Sequence, residues 1–254
     1  MYSFQKSKAV VIVSVLAIII GASVIIGWVF NFRELETIFP QFESMKFNTA
    51  LCFISLGSAL LLTQFKTSIY GTIAFLALTF LIVLTGAVSA LQYPFHFNAG
   101  IDELFVADHF ATAHKYLSPG RMAANTAICF VLFGLAFLGF RVKKRIIQIS
   151  SQYLLHVVTA ISSVALIGYL YELSLFYNFA NIGSMAIHTA LLFFFMSVIA
   201  TQLHPSLGIS DLFTGQLVGN KMARRLFVLI VLMVLIFGTL RLQSEQHKIL
   251  STET

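Results

Sequence analysis

At 254 residues, 58% hydrophobic and only 10% charged, the chain is far from the roughly 25% charge of a soluble domain. Several apolar stretches reach the ~20 residues that cross a bilayer, so the composition excludes an ordinary soluble enzyme and points to a polytopic membrane protein. The net charge of +6 is a signal of topology, not a footprint for nucleic acid.

The apolar stretches give seven expected spans, at about 8–30, 46–65, 69–91, 119–140, 150–171, 184–203 and 223–241. Helices are expected because backbone amides in hydrocarbon must be satisfied within their own segment. The alternation of a membrane β-barrel is absent. The expected fold class is all-α: a polytopic helical bundle forming one integral-membrane domain over residues 1–254, with no soluble catalytic domain. Lys6 and Lys8 resemble the basic start of a signal peptide, but the apolar run behind them exceeds the roughly 7–15 residues of a signal core. No small-x-small cleavage site follows, and an uncleaved first span is expected.

The first span ends in Gly27-Trp28-x-Phe30, and the second opens Met45-x-x-Asn48-Thr49-Ala50-Leu51-x-Phe53. The third ends in Gln92-Tyr93-x-Phe95, and the fourth opens Met122-x-x-Asn125-Thr126-Ala127-Ile128-x-Phe130. The fifth ends in Gly168-Tyr169-x-Tyr171, and the sixth opens Met185-x-x-His188-Thr189-Ala190-Leu191-x-Phe193. Nine residues past the Asn or His comes a small residue each time: Gly57, Gly134 and Ser197. Such regularity implies a two-helix unit copied along the chain, with a pseudo-symmetry axis along the membrane normal. The seventh span ends in a degenerate Gly238-Thr239-x-Arg241 and would be half of a fourth unit, whose returning eighth helix would follow Thr254.

The loops are unequal. Trp28 to Asn48 is 20 residues and Tyr169 to His188 is 19, whereas Tyr93 to Asn125 is 32. The second outer loop thus carries an insertion within Asn98–His114, where Ile101, Leu104, Phe105 and Asp108 have helical spacing. A short interfacial helix is expected there, as a functional element or as a plain cap over the bundle. The stretch His204–Arg225, broken by Pro205, Gly208, Gly215 and Gly219, matches no phosphate loop and reads as a surface connector. Ten of the sixteen basic residues fall on one side of the membrane and nine of the ten acidic residues on the other. The positive-inside rule then gives a cytoplasmic N-terminus and an external C-terminus for this chain. Arg141–Arg145 is a basic cluster at a helix end, and membrane lipid is its expected partner.

Asn48, Asn125 and His188 should lie about one turn inside the outer ends of their helices, beside Thr49, Thr126 and Thr189. Around a common axis they would form a polar ring beneath the outer loops. Polar groups within spans are expensive unless partnered, which makes this ring a candidate small-molecule site. Helix capping or interhelical hydrogen bonding is the plainer explanation. His188 is the copy able to change charge near neutral pH, and as a cation it would favour an anionic ligand or a loop carboxylate such as Asp102. Trp28, Tyr93 and Tyr169 are belt aromatics that could also line the pocket. Cys52 and Cys129 share a register and read as small hydrophobes. His96, His109 and His114 sit near Asp102, Glu103 and Asp108, but their spacing matches no metal motif. His156 and His188 fall at opposite ends of their spans, which does not suit a shared haem. No metal, cofactor or catalytic residue is expected, since no nucleophile elbow, zinc, Walker or kinase motif is visible. Nor does an acidic residue sit mid-span, as proton-coupled transport would require.

The phrases Ser-Met-Lys-Phe-Asn-Thr-Ala-Leu-Cys-Phe (44–53), Gly-Ile-Asp-Glu-Leu-Phe (100–105), Pro-Gly-Arg-Met-Ala-Ala-Asn-Thr-Ala-Ile-Cys-Phe (119–130), Gly-Tyr-Leu-Tyr (168–171) and Met-Ala-Ile-His-Thr-Ala-Leu-Leu-Phe (185–193) carry a resemblance. Together they resemble the multi-pass, MASE-like membrane region found ahead of PAS and histidine-kinase modules in bacterial sensor proteins. The resemblance covers nearly the whole chain. It implies a sensory input domain in a bacterial inner membrane, feeding a cytoplasmic PAS or kinase module in cis or in trans, with a homodimer compatible. This chain departs from such proteins in ending before a last helix and in carrying no transmitter, so an excised domain or a truncated product is expected. The alternative is a small transporter or channel constricted at Asn48, Asn125 and His188.

Overall fold

The computed structural model describes residues 7–38, 42–66, 68–108, 118–171, 184–211 and 217–246. Their helices are α1 (Lys8–Phe30), α2 (Arg33–Glu36), α3 (Phe47–Leu62), α4 (Ile69–Phe95), α5 (Ala124–Phe140), α6 (Arg145–Leu170), α7 (Ile187–Thr201) and α8 (Val218–Gln246). Three of them, α1, α4 and α6, are long and apolar enough to cross a membrane, while α3, α5 and α7 are shorter apolar helices. The 16 residues of α3 span about 24 Å at 1.5 Å each, less than the ~30 Å hydrocarbon core.

Apolar side chains cover α1 on every side, so polarity alone does not select its packed face. Size does. The buried stripe is Val10, Ser14, Ala17, Gly21, Val24 and Trp28, a heptad-like spacing in which small residues let a neighbour approach. A Cβ added at Gly21 would lie 2.8 Å from the Ala50 carbonyl, and one at Gly57 would lie 2.8 Å from the Ser14 carbonyl. The small residues nine positions past Asn125 and His188 meet their partners likewise: Gly134 lies against Val83 of α4, and Ser197 shares a 2.8 Å hydrogen bond with Thr159 of α6.

Six helices close on themselves. Each outgoing helix packs most extensively on the helix that follows it, α1 on α3, α4 on α5 and α6 on α7. The seams α3–α4 and α5–α6 join successive hairpins, and a smaller α1–α7 contact shuts the circle. At its centre Phe53, Phe130 and Phe193, all fully buried, touch pairwise with centroids 4.7–5.0 Å apart. These are the last residues of the thrice-used phrase.

Outside the circle lies α8. Among the described residues it shares no comparable interface with the other helices, and Met222, Leu226, Leu229 and Phe237 are exposed. It touches the bundle where Gly238 abuts the Tyr171 ring. Two expectations change here. Residues 96–108 form turns and bends, so Ile101, Leu104, Phe105 and Asp108 are not on a helix; side chains capture the backbone instead, Asn98 Oδ1 accepting from Gly100 N and Glu103 Oε1 from Asp108 N. Conversely, α2 forms in the first loop, which carries no long apolar pattern to announce it.

Candidate functional site at the acidic end of the bundle

The same hydrogen bond ties each hairpin together. Trp28 Nε1 donates to the Met45 carbonyl at 2.8 Å, Tyr93 Oη to that of Met122 at 2.8 Å, and Tyr169 Oη to that of Met185 at 2.6 Å. An aromatic at the end of one helix thereby fixes the extended residues that launch the next. Indole and phenol serve equally, because the task needs a flat apolar body with a donor at its tip. The belt aromatics of the sequence reading are thus pinned, and each has cover: Lys46 Nζ lies 5.8 Å from the Trp28 ring centre, Arg121 Cζ 5.7 Å from that of Tyr93, and Phe42 meets Tyr169 edge-on at 5.0 Å.

Asn48, Asn125 and His188 each occupy the second position of their helices, but they are not equivalent chemically. Asn125 is half-buried, and its Oδ1 accepts from the Thr126 amide at 2.9 Å, which is a helix-start role. Asn48 and His188 are 6% and 7% exposed, and neither the Asn48 amide nor either nitrogen of His188 has a hydrogen-bond partner. Capping therefore accounts for Asn125 alone. Leaving such a group buried and unsatisfied costs about 1–3 kcal/mol. Thr49, Thr126 and Thr189 beside them are buried.

Helix periodicity sets where these residues face. The central phenylalanines come five residues later, about 140° around the helix, so the polar trio is turned from the axis toward the seams between hairpins. For Asn48 the seam is α3–α4: Cys52, one turn deeper on the same stripe, lies beside Thr85 of α4. One turn outward from Thr85 is Ser89, fully buried, whose hydroxyl also lacks a partner. Cys52 and Cys129 are free thiols within the core.

The long loop is locked over this layer by two buried carboxylates. Asp108 pairs with Lys46 at 2.7 Å and accepts the Gly120 amide at 3.1 Å. Asp102 pairs with Arg121 at 2.9 Å, and Gln92 bridges them, donating to Asp102 at 3.2 Å and accepting from Arg121 at 3.0 Å. Gly120 has φ +68°, and a side chain there would strike the Asp102 backbone, so the chain folds back tightly between the two ion pairs. Asp102 is consequently committed to Arg121 and Gln92, and is not the loop carboxylate that pairs with His188. Lys46, Gln92, Arg121 and Asp108 escaped the sequence reading as site residues, although lone cations on an otherwise acidic side were a usable signal. Glu36, buried in the first loop, has its carboxyl pKa raised by desolvation and by nearby Asp108, with Lys46 and Arg33 opposing.

His109 and His114 lie outside the described residues, and among those described no three His, Cys, Asp or Glu side chains gather as a metal site. Compared with known proteins, the chain matches no family, no curated protein and no solved structure.

Proposed function

We propose that this chain is the membrane-embedded sensory input domain of a bacterial signalling protein, built from two-helix units arranged with threefold pseudosymmetry and spanning the inner membrane seven times, N-terminus cytoplasmic. The observation that carries the reading is that two buried polar side chains, Asn48 and His188, are without hydrogen-bond partners, each at the end of the bundle where the Asp102–Arg121 and Asp108–Lys46 ion pairs lie. A site that keeps donors and acceptors dry and unused at a stability cost is poised for a polar ligand. Filling it would supply the missing hydrogen bonds and alter packing at the seams, and the change would reach a cytoplasmic PAS or kinase partner through the expected returning helix that follows α8. The transporter alternative gains less support, because Phe53, Phe130 and Phe193 fill the axis where a pore would run.

Native mass spectrometry of gently extracted protein tests this reading. A small non-lipid molecule should co-purify and be lost from the Asn48→Leu, His188→Leu double variant. Identical spectra for the two proteins, with no such adduct in either, would sink it.

A further inference from the structure

At the opposite, basic end, a cavity of about 120 Å³ opens between the ends of α3, α4 and α5, lined by Leu62, Thr63, Phe65, Lys66, Ser68 and Arg141 among others. Its volume equals that of roughly four waters at about 30 Å³ each, enough for a phosphate group. Two of the walls are cationic, and no carboxylate is among the described lining residues. The Arg141 guanidinium lies 4.3 Å from the centre of the Phe75 ring, which is itself stacked on Phe137, so packing helps to hold the cation at the cavity wall. Ser68 Oγ accepts from Gly71 N at 3.0 Å and keeps its own proton to donate. Thr63 is spent, donating to the Leu60 carbonyl and accepting from Gln64, and serves as wall.

The rim decides between a lipid and a free anion. Phe65, Ile69 and Tyr70 beside the cavity are 61%, 67% and 82% exposed, an apolar and aromatic fringe suited to the boundary between headgroups and acyl chains. A free phosphate would leave that fringe in water. We infer that this cavity binds the phosphate of an anionic phospholipid, with Lys66 and Arg141 as charge partners, Ser68 as a further donor, and Phe65 and Tyr70 against the glycerol and upper acyl chain. The site is independent of the polar layer at the other end of the bundle.

The test is native mass spectrometry of the full chain, delipidated in neutral detergent and titrated with phosphatidylglycerol, phosphatidylcholine or inorganic phosphate. Phosphatidylglycerol should be retained over phosphatidylcholine. Lys66→Gln and Arg141→Gln should each weaken its binding about fivefold, the effect of one cation near a membrane surface, and Lys221→Gln, away from the cavity, should leave it unchanged. Lys66 is exposed, so its replacement tests the site without disturbing the fold. Equal retention of the two lipids, or unaltered binding by Lys66→Gln, would overturn the assignment. Displacement of phosphatidylglycerol by inorganic phosphate at comparable concentration would also overturn it, giving the cavity to a free anion.

Discussion

Among individual residues, the three aromatic donors offer the cleanest comparison, because the same bond is made by an indole once and by a phenol twice. Tyr93→Phe and Tyr169→Phe each remove one hydroxyl and leave a methionine carbonyl without its donor. Each should cost about 1–3 kcal/mol, the range for an acceptor left unsatisfied in the interior, read as a lower midpoint in detergent-induced unfolding. A cost near zero for both would mean that the hairpins are set by packing alone. Glu36 makes a prediction in pH. Its carboxyl pKa is raised in the folded chain, so the folded state holds the proton more tightly than the unfolded one. Folding is then favoured as pH falls through the raised value toward the ordinary 4.5, and that gain is absent at neutral pH, where ionised Glu36 weakens the fold. Glu36→Gln should raise the melting temperature at pH 7 and flatten its rise on mild acidification. The positions of the polar and aromatic residues were legible in the sequence as a thrice-repeated phrase, but the partners were not. Which of Asn48, Asn125 and His188 finds a hydrogen bond depends on one carbonyl or amide a few ångströms away, and Asp102 was claimed by Arg121 and Gln92, residues whose spacing from it signals nothing.

Between helices, the deciding feature is the size of the side chain at the seam. Lipid is as apolar as leucine, so burying more hydrocarbon gives little advantage, and close backbone approach supplies the cohesion. Gly57 faces the α1 backbone at Ser14. Gly57→Val should force α1 and α3 apart and cost about 1–3 kcal/mol, the usual penalty for overpacking, whereas Gly219→Val, with nothing within 4 Å of its Cβ position, should not share that loss. Thermal unfolding of the two variants side by side checks this. Helix content was readable from hydropathy because the apolar runs are long; α1 begins and ends at the expected residues. Among the others, α4 begins at 69 and α5 ends at 140 as expected, while the remaining ends lie one to five residues away, since hydropathy does not register where a chain becomes extended. In α3, α5 and α7 the helix starts only after the methionine whose carbonyl the aromatic holds. The loop helix expected over 101–108 failed for a related reason: the apolar spacing was present, but Asn98 and Glu103 offered the backbone local hydrogen bonds that compete with a helix.

For the molecule as a whole, counting spans suggested three and a half units, while the packing joins α7 back to α1 and leaves α8 aside. Closure is a contact between the two ends of the six-helix array, which no local pattern encodes. The separation of charge, by contrast, is written into the loops: Lys66, Arg141 and Lys143 lie at one end of the helices and Glu36, Asp102 and Asp108 at the other. If the chain crosses the bilayer seven times under the positive-inside rule, single cysteines placed at Glu103 and at Glu245, in a chain whose own Cys52 and Cys129 are replaced by alanine, should react with an impermeant thiol reagent added to intact cells. A cysteine at Lys143 should react only after the membrane is opened. The Glu245 position carries the most weight, because the ion-paired loop fixes Asp102 and its neighbours to the circle of six helices, whereas among the described residues α8 shares no comparable interface with the other helices. Labelling at Glu103 without labelling at Glu245 would mean that α8 lies along the membrane surface or turns back, and the seven-span topology would fall while the six-helix core stood. Labelling at Lys143 in sealed cells would reverse the orientation altogether and move the anionic-lipid cavity to the outer leaflet.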